Sequence, residues 1–463
     1  MNEGILSGAG RPADPHIFDG LNGYLAKQVR PEDRVILDIG CGDGGFGQAL
    51  KMLRIDRIVY GTETDADAAA AARHRLDAVH AVDIETELPP IAPQSLDCII
   101  LADVLERLRD PVAVLRRLKA LLRPGGRIVS AVANAQHVDT LASIIAGDIQ
   151  YQHDGPLDRR NLRLFGAANI QKLFLDAGLL PALADAVREP LPQETLDACG
   201  PLLEHLKLNP GFFAEKASVR HYICAATPMA EAPASAAGIT FIVAVNNIRQ
   251  LRDNLLASPI LNNARHEIVP VVGATSAADA LMRGLGQSAR KNGLIVLLHQ
   301  DVYLPAGWDD RLIAGILEAE RSFGPVGVAG VFGVVRSEIG AFERAGRALD
   351  RRALLATPHR LPAQAESLDE IVLVFPVQNG SIVGLAPTLG FHMYGSEACL
   401  AAWEADQAAV IVDAPCLHNT ESGFQLDNAF VESARTFTAA RAASLPYATT
   451  CVQFKANGEA VYW

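Results

Sequence analysis

The sequence predicts an α/β protein of two domains, on three observations. Strand-sized apolar runs alternate with amphipathic helical runs along nearly all of the 463 residues, the pattern of helices packed on largely parallel sheets. At residues 35–47 an apolar strand runs into a glycine cluster and then a helix. Between the two alternating halves, Pro228 to Gly238 reads PMAEAPASAAG, small and Pro/Ala-rich without periodicity, as a linker does. Domains are therefore expected at 1–228 and 238–463, joined by 229–237.

Composition bounds the function. Hydrophobic residues are 49% and charged residues 20%, enough apolar mass for two cores and far from the disordered class. Lys+Arg is 41 against 53 Asp+Glu, a net charge of −12. That is the reverse of a basic footprint, so no nucleic-acid partner is expected. No run approaches the roughly 20 apolar residues that span a bilayer. The opening MNEGILSGAGRPADP lacks a charged segment followed by an apolar one, so no secretory signal is expected. Seven scattered cysteines make neither a disulfide framework nor a paired metal-ligand pattern. The expected place is the cytoplasm, with at most peripheral contact at the inner face of a membrane.

In the first half a helix is expected at Ile17–Val29. Strands follow at Arg34–Gly40, Arg57–Glu63, Leu96–Asp103 and Gly126–Asn134, with helices at Phe46–Leu53 and Pro111–Leu122 between them. Pro111 suits a first helical turn, and Arg123-Pro124-Gly125-Gly126 reads as the sharp turn that ends that helix. Residues Val138 to Phe165 break the alternation and read as a cap over a pocket. A helix at Ala167–Ala177 and strands near Leu183–Arg188 and Arg220–Ala226 complete the sheet. The second half gives strands at Ile239–Val245, Glu267–Val272, Leu294–Leu298, Glu370–Pro376 and Ala408–Val412. Its helices are Ala277–Arg290, Asp309–Ser322 and Ser396–Asp406, and Val326–Val335 is apolar and punctuated by glycine.

The strongest local signal is VILDIGCGDGGFG at 35–47. Glycines there admit positive φ and close approach of a ligand, at the carboxyl end of a strand where open α/β sheets bind ligands. Gly40, Gly42 and Gly45 also fit the G-x-G-x-x-G spacing of a dinucleotide site, so spacing by itself leaves NAD open. The surrounding residues go further. Asp38 precedes the loop, Tyr60-Gly61-Thr62-Glu63 ends the next strand in a carboxylate, and Val82-Asp83-Ile84 supplies another. Together, from about Asp33 to Arg188, these resemble the class I S-adenosylmethionine-dependent methyltransferases, a Rossmann-like fold. The resemblance implies cofactor contacts from Asp38, Gly40, Gly42, Gly44, Glu63, Asp83 and Asp103. It implies that Glu63 takes both ribose hydroxyls and Asp83 the exocyclic amine. DVLERLRDP at 103–111 and LDRRNLRLF at 157–165 resemble D-V-L-E-H-L-x-D-P and L-D-x-T-H-L-R-F-F of methyltransferases that modify sugars and polysaccharides. Arg107 and Asn161 stand where those have His. Methyl transfer from a sulfonium needs alignment above all, and a base only where the acceptor must lose a proton. His137 is the candidate for that base, its alternative being a solvated loop histidine.

In the second half LLHQDVYLPAGW at 297–308 delivers Asp301 just past a buried strand. From residues alone Asp301 is a helix cap or turn residue as readily as a cation ligand. FIVAVNN at 241–247, the HQDVYLP string, GFHMYGSEACL at 390–400 and VDAPCLHNT at 412–420 occur in order. They resemble elements of a family-2-like group of GT-A nucleotide-sugar glycosyltransferases, over most of Gly238 to Ser422. The resemblance implies a nucleotide-sugar donor and a glycan or lipid-linked glycan acceptor. It implies Mn²⁺ or Mg²⁺ held with the donor diphosphate by Asp301 and His418, and Glu397 as catalytic base. Glu397 stands where the group has Asp, and Met282 where many have Asn. Asp369 resembles an acceptor-side acidic residue, or is a surface turn. The expected function is bifunctional: methyl transfer from S-adenosylmethionine and inverting sugar transfer on a cell-surface glycan or its lipid-linked precursor. The alternatives are a methyltransferase whose second half binds glycan or scaffolds, and a dehydrogenase on the first half.

Overall fold

The structure is a computed structural model that describes residue 18 and residues 20–462, apart from 148, 207, 291, 352, 378–379 and 421–427. It divides into two units, Met1–Ala230 and Glu231–Trp463. The boundary falls inside the stretch that composition marks as a linker. Each end of that stretch is tied to its own unit: the Met229 amide donates to the Gly178 carbonyl at 3.0 Å, and the Ser235 amide to Asp310 at 2.9 Å.

The first unit holds a seven-stranded sheet. Its strands are β1 (Val35–Ile39), β2 (Ile58–Thr62), β3 (Ala78–His80), β4 (Leu96–Ala102), β5 (Leu122–Ala133), β6 (Leu179–Arg188) and β7 (Val219–Pro228), in the order β3-β2-β1-β4-β5-β7-β6. The first five are parallel and β7 runs antiparallel to both neighbours. Order β3-β2-β1-β4-β5 is doubly wound, with its switch point between β1 and β4. Alternate side chains explain why both faces are apolar. Leu37, Ile99, Leu101 and Ile128 enter one core, while Ile36, Cys98, Ile100 and Val129 enter the other. The helices are α1 (Gly20–Gln28), α2 (Gly45–Leu53), α3 (Ala66–Ala72), α4 (Pro111–Lys119), α5 (Val138–Ile145), α6 (Ala167–Asp176), α7 (Gln193–His205) and α8 (Pro210–Ala217). Asp110 caps α4 by accepting from the Ala113 amide at 3.0 Å, with Pro111 in the first turn.

Several expected boundaries move, each for a local reason. The first helix spans Gly20–Gln28, and Ile17 lies outside the described residues. The Arg123–Gly126 turn lies within β5: the register shifts between the Leu96–Leu122 and Cys98–Arg127 pairs, so the glycines form a bulge rather than a helix stop. The irregular segment after Val138 opens with a helix, α5, capped by His137. Helices α7 and α8 fill the stretch before β7, where no element is expected from the sequence.

The second unit is built on another seven-stranded sheet. Its strands are β8 (Ile239–Val245), β9 (Glu267–Val272), β10 (Leu294–Leu298), β12 (Val326–Gly330), β16 (Ala363–Gln364), β18 (Val372–Pro376) and β19 (Ala408–Ile411), ordered β16-β19-β12-β18-β10-β8-β9. Strand β18 is antiparallel to β10 and β12, whereas β10, β8 and β9 are parallel. Again alternate residues part between two cores: Phe241 and Val296 on one side, Ile242 and Leu297 on the other. A second sheet joins β11 (Val302–Tyr303), β13 (Phe332–Arg336), β14 (Phe342–Asp350), β15 (Ala353–Ala356), β17 (Ser367–Leu368) and β20 (Leu417–His418). The apolar run Val326–Val335 is thus two strands of different sheets. Helices α9 (Ile248–Asp253), α10 (Ala277–Gln287), α11 (Trp308–Phe323), α12 (Tyr394–Glu404) and α13 (Asn428–Ala440) accompany them, with a small meander of β21 (Tyr447–Ala448), β22 (Val452–Phe454) and β23 (Ala460–Tyr462). Helix α10 stops before Arg290 because Ser288 turns extended and its hydroxyl donates to Glu267 at 2.8 Å. Among the described residues, no helix is long and apolar enough to cross a membrane.

Candidate functional site

The glycine loop leaves β1 at the switch point. Gly42 has φ 54°, and a Cβ there would meet nothing within 4 Å, so the backbone is open to a ligand. Gly44 begins α2 at φ 79°, where a Cβ would lie 3.0 Å from Ala72 Cα. Glu63, just past β2, folds back onto this loop. Its carboxylate accepts from the amides of Gly42 at 3.0 Å, Thr64 at 2.7 Å and Asp65 at 2.9 Å. Asp38 is buried beneath, and burial, followed by the nearby Glu63 charge, pushes its carboxyl up to about 7. Asp38, Gly40, Gly42, Gly44 and Glu63 therefore meet at one strand edge. Asp83 lies in the turn after β3 and accepts from the Glu85 amide at 2.9 Å. A Cβ on Gly40 would come 3.2 Å from Val104 Cγ2, which brings the segment after β4 alongside the loop.

That segment starts at Asp103, a non-glycine residue at φ 52°, whose Oδ1 is 3.2 Å from His221 Nε2 on β7. Beside it is a cavity of about 130 Å³, lined among others by Asp103, Glu106, Arg107, Asp158, Arg160 and Asn161. Asp158 is buried and held by Arg160 through paired contacts. That guanidinium keeps its carboxyl down at about 2 despite the opposing desolvation. Asn161 donates to the carbonyls of Gly155 and Pro156, and Arg107 Nη2 is 3.7 Å from Asp158. His137 is placed differently. It is buried as the cap of α5, its Nδ1 accepts from the Asp139 amide at 3.3 Å, and it is not among the cavity's lining residues. Burial, and then the Arg220 charge, lowers its pKa.

In the second unit, ligand-type atoms of His299, Asp301 and His418 all lie within 4.8 Å of one another. Strand β10 delivers His299 and Asp301 past its end, and β20 delivers His418 by pairing with β11. His418 Nδ1 is 2.9 Å from Asp350 and Nε2 is 3.3 Å from both Asp301 Oδ1 and His299 Nδ1. His299 Nε2 is 3.2 Å from the Tyr394 hydroxyl, which donates to the Glu370 carbonyl at 2.9 Å. That network assigns the proton to His299 Nε2 and leaves its Nδ1 lone pair facing His418. Burial alone would lower the His418 imidazole, yet its bonds to Asp301 and Asp350 raise it to about 9. Burial raises Asp301, but the His418 contact prevails and takes it to about 2. Burial, with His418 second, lowers His299. Two imidazoles and a carboxylate, one imidazole backed by a further carboxylate, are a donor set suited to a divalent ion. Glu397 lies apart from this set of contacts. It is buried on α12 with its carboxylate bound by Arg441. Asp369 accepts from the Thr450 hydroxyl at 2.7 Å, and Met282 is exposed on α10.

Residues 37–128, within the first unit, match the family described as "Methyltransferase domain". The N-terminal unit contains a class I S-adenosylmethionine-dependent methyltransferase domain. The ubiquinone biosynthesis O-methyltransferase of Xanthomonas campestris is 30% identical over 116 residues, 24% of this chain and 48% of that protein. Fumosorinone synthetase of Cordyceps fumosorosea is 38% identical over 106 residues, 20% of this chain and 2% of that protein. This chain thus spans less than half the length of these relatives. Among solved structures, YcgJ of Bacillus subtilis aligns at 15% identity and TM-score 0.32, over 45% of this chain and 98% of its own. The family match stops well inside the first unit, so the GT-A reading of the second unit rests on this chain's own residues.

The methyltransferase domain's loop was legible because its parts are contiguous. Glu106 sits inside DVLERLRDP with no signal to set it apart, and nothing in the sequence marks His221 as facing Asp103. In the second unit His299 lies in the HQD string, while Asp350 is 68 residues from His418 and carries no signal.

Proposed function

We propose that the N-terminal domain transfers a methyl group from S-adenosylmethionine to a glycan or its lipid-linked precursor. The observation that carries the reading is the Gly42 cradle with the Glu63 carboxylate folded over it at the end of β1. The open space above Gly42 fits close approach of the cofactor, and Glu63, which already accepts from three amides, keeps one lone-pair site for a ribose hydroxyl. Asp83 and Asp103 flank that edge as further contacts. S-adenosylmethionine, when bound, supplies an electrophilic methyl group. The protein's share is to hold the acceptor in line and exclude water.

For the second unit, His299, Asp301 and His418 favour a divalent cation held with a nucleotide-sugar diphosphate, in support of inverting sugar transfer. A cation there would neutralise the leaving diphosphate. Glu397 remains the base of that proposal, its carboxylate being bound by Arg441 in this structure. The competing reading keeps the second unit as a glycan-binding or scaffolding module. Both place the protein in the cytoplasm with at most peripheral membrane contact. Calorimetry of the full chain with S-adenosylmethionine, NAD and a panel of nucleotide sugars, with and without Mn²⁺, separates them. Cofactor binding with Mn²⁺-dependent nucleotide-sugar binding supports the bifunctional enzyme. Cofactor binding alone supports the module, and NAD binding alone returns the dehydrogenase.

A further inference from the structure

We propose that Glu106 is the general base of the methyl transfer and that the acceptor is a hydroxyl of a polar, hydroxyl-rich molecule seated in the cavity beside it. The inference rests on the methyltransferase reading and names the chemistry of its acceptor side.

Glu106 is almost fully buried, yet it lines a cavity rather than a core. Its Oε1 accepts from the Ala133 amide at 2.6 Å, which fixes the carboxylate in place. Its Oε2 is buried and has no hydrogen-bond partner. A buried, unpartnered carboxylate oxygen costs stability, so its retention beside a cavity points to a partner that arrives with a ligand. The site adjoins the cofactor loop, because Val104, two residues before Glu106, is the side chain a Cβ on Gly40 would press against.

The groups around the carboxylate tune it for proton transfer. Burial, with the Asp103 charge next, raises Glu106 to about 7, while the Ala133 amide and His221 act in the opposite sense. Arg107, Asp154, Asp158 and Arg160 face the same cavity, and Arg160 is already occupied by Asp158. A base poised near 7 is suited to neutral pH. Seven of the nine residues lining it are charged or polar, which matches an acceptor presenting several hydroxyls rather than an apolar ring.

In the step, the acceptor oxygen forms its bond to the methyl carbon as the carbon–sulfur bond breaks. The electron pair of that bond stays on sulfur, leaving the neutral thioether. The hydroxyl proton passes to Glu106 Oε2 and later to solvent. His137 is not used in this step: its Nδ1 caps α5 and it is not among the residues lining the cavity.

The test uses the full chain and Glu106→Gln, which can still accept from Ala133. The probes are S-adenosylmethionine with a panel of p-nitrophenyl glycosides and catechol. Wild-type turnover of a glycoside should rise with pH through an apparent pKa near 7. The variant should lose roughly 10²–10⁴-fold in kcat, lack that limb, and bind the cofactor within about twofold of wild type. Turnover within about fivefold of wild type, or preference for catechol over every glycoside, overturns the assignment. A readout without an acceptor stands beside it: calorimetry at pH 7 in buffers of different ionisation enthalpy. The sulfonium charge should lower Glu106, so wild type should release more proton on binding S-adenosylmethionine than on binding S-adenosylhomocysteine, and Glu106→Gln should not. Equal release by wild type for the two ligands overturns the proposal, and decides the matter if no probe is methylated or the variant does not fold. Failure of wild type to bind the cofactor sinks the methyltransferase reading itself, a different result from binding and turnover that ignore Glu106.

Discussion

The two strand edges of this protein, one per unit, reach a binding geometry by opposite routes. At the end of β1 the site is mostly backbone: a glycine loop of consecutive residues, closed by one carboxylate from the neighbouring strand. At the end of β10 it is all side chain. His299 and Asp301, Asp350, Tyr394 and His418 come from four places in the chain and bond to one another. The first kind of site tolerates change around it but not added bulk within it. The second depends on its partners, because its charges are buried or half-buried and lean on one another.

The sharpest way to break the side-chain site is Asp301→Asn. It keeps the shape and removes the only anionic member of the ligand trio. The Mn²⁺-dependent nucleotide-sugar binding proposed for this unit should fall by more than about a hundredfold, beyond the roughly 10–100-fold that follows loss of a residue orienting a ligand. Calorimetry with and without Mn²⁺ checks this, and weakening that is equal in both conditions counts against a metal role. Asp350→Asn removes such an orienting residue, since its carboxylate fixes His418 Nδ1. Mn²⁺ affinity should drop about tenfold or more, with nucleotide binding in EDTA unchanged.

At the backbone site the largest effect is Glu63→Ala. On the proposed cofactor role it should remove charge-assisted bonds worth roughly 1.5–3 kcal/mol, about ten- to a hundredfold in affinity. Unchanged affinity by calorimetry removes Glu63 from the site. Asp38→Asn acts through pH. Burial, followed by the Glu63 charge, raises Asp38 from its ordinary 3.8 to about 7 in the folded protein. The native state therefore binds the extra proton across that window, and stability falls as pH rises through it. The variant should melt several degrees above wild type at pH 8 and match it near pH 4, as scanning calorimetry would show. The smallest effect belongs to Gly42→Ala. An L residue held at φ 54° costs about 1–2 kcal/mol. With no neighbour within 4 Å of the new Cβ, folding should survive while the cofactor loses its close approach. An affinity as in wild type would mean that the ligand does not lie over this loop.

These differences also mark how far the sequence could be read. Strands β1, β4, β8 and β10 were legible to within a residue or two, because an apolar run bounded by glycine or charge has no competing use in an α/β chain. Helix ends were less so. The Arg123–Gly126 stretch looks like a stop and forms a bulge inside β5, since only pairing with β4 distinguishes the two. Apart from β13, which ends the apolar run Val326–Val335, the strands of the second sheet in the second unit carry no sequence signal, being defined by partners elsewhere in the chain.

By itself the sequence determined the two-unit α/β plan and the residues of the glycine loop, because both are written in contiguous periodicity and in the steric freedom of glycine. Only the tertiary structure decided which polar groups meet. It set Glu106 against a cavity with one oxygen unsatisfied and put His137 Nδ1 at a helix cap. It bound Glu397 to Arg441 and placed Asp350 behind His418. The physical reason is burial: a carboxylate or imidazole acquires its protonation state and its partner from the walls the fold puts around it, and no spacing along the chain carries that information.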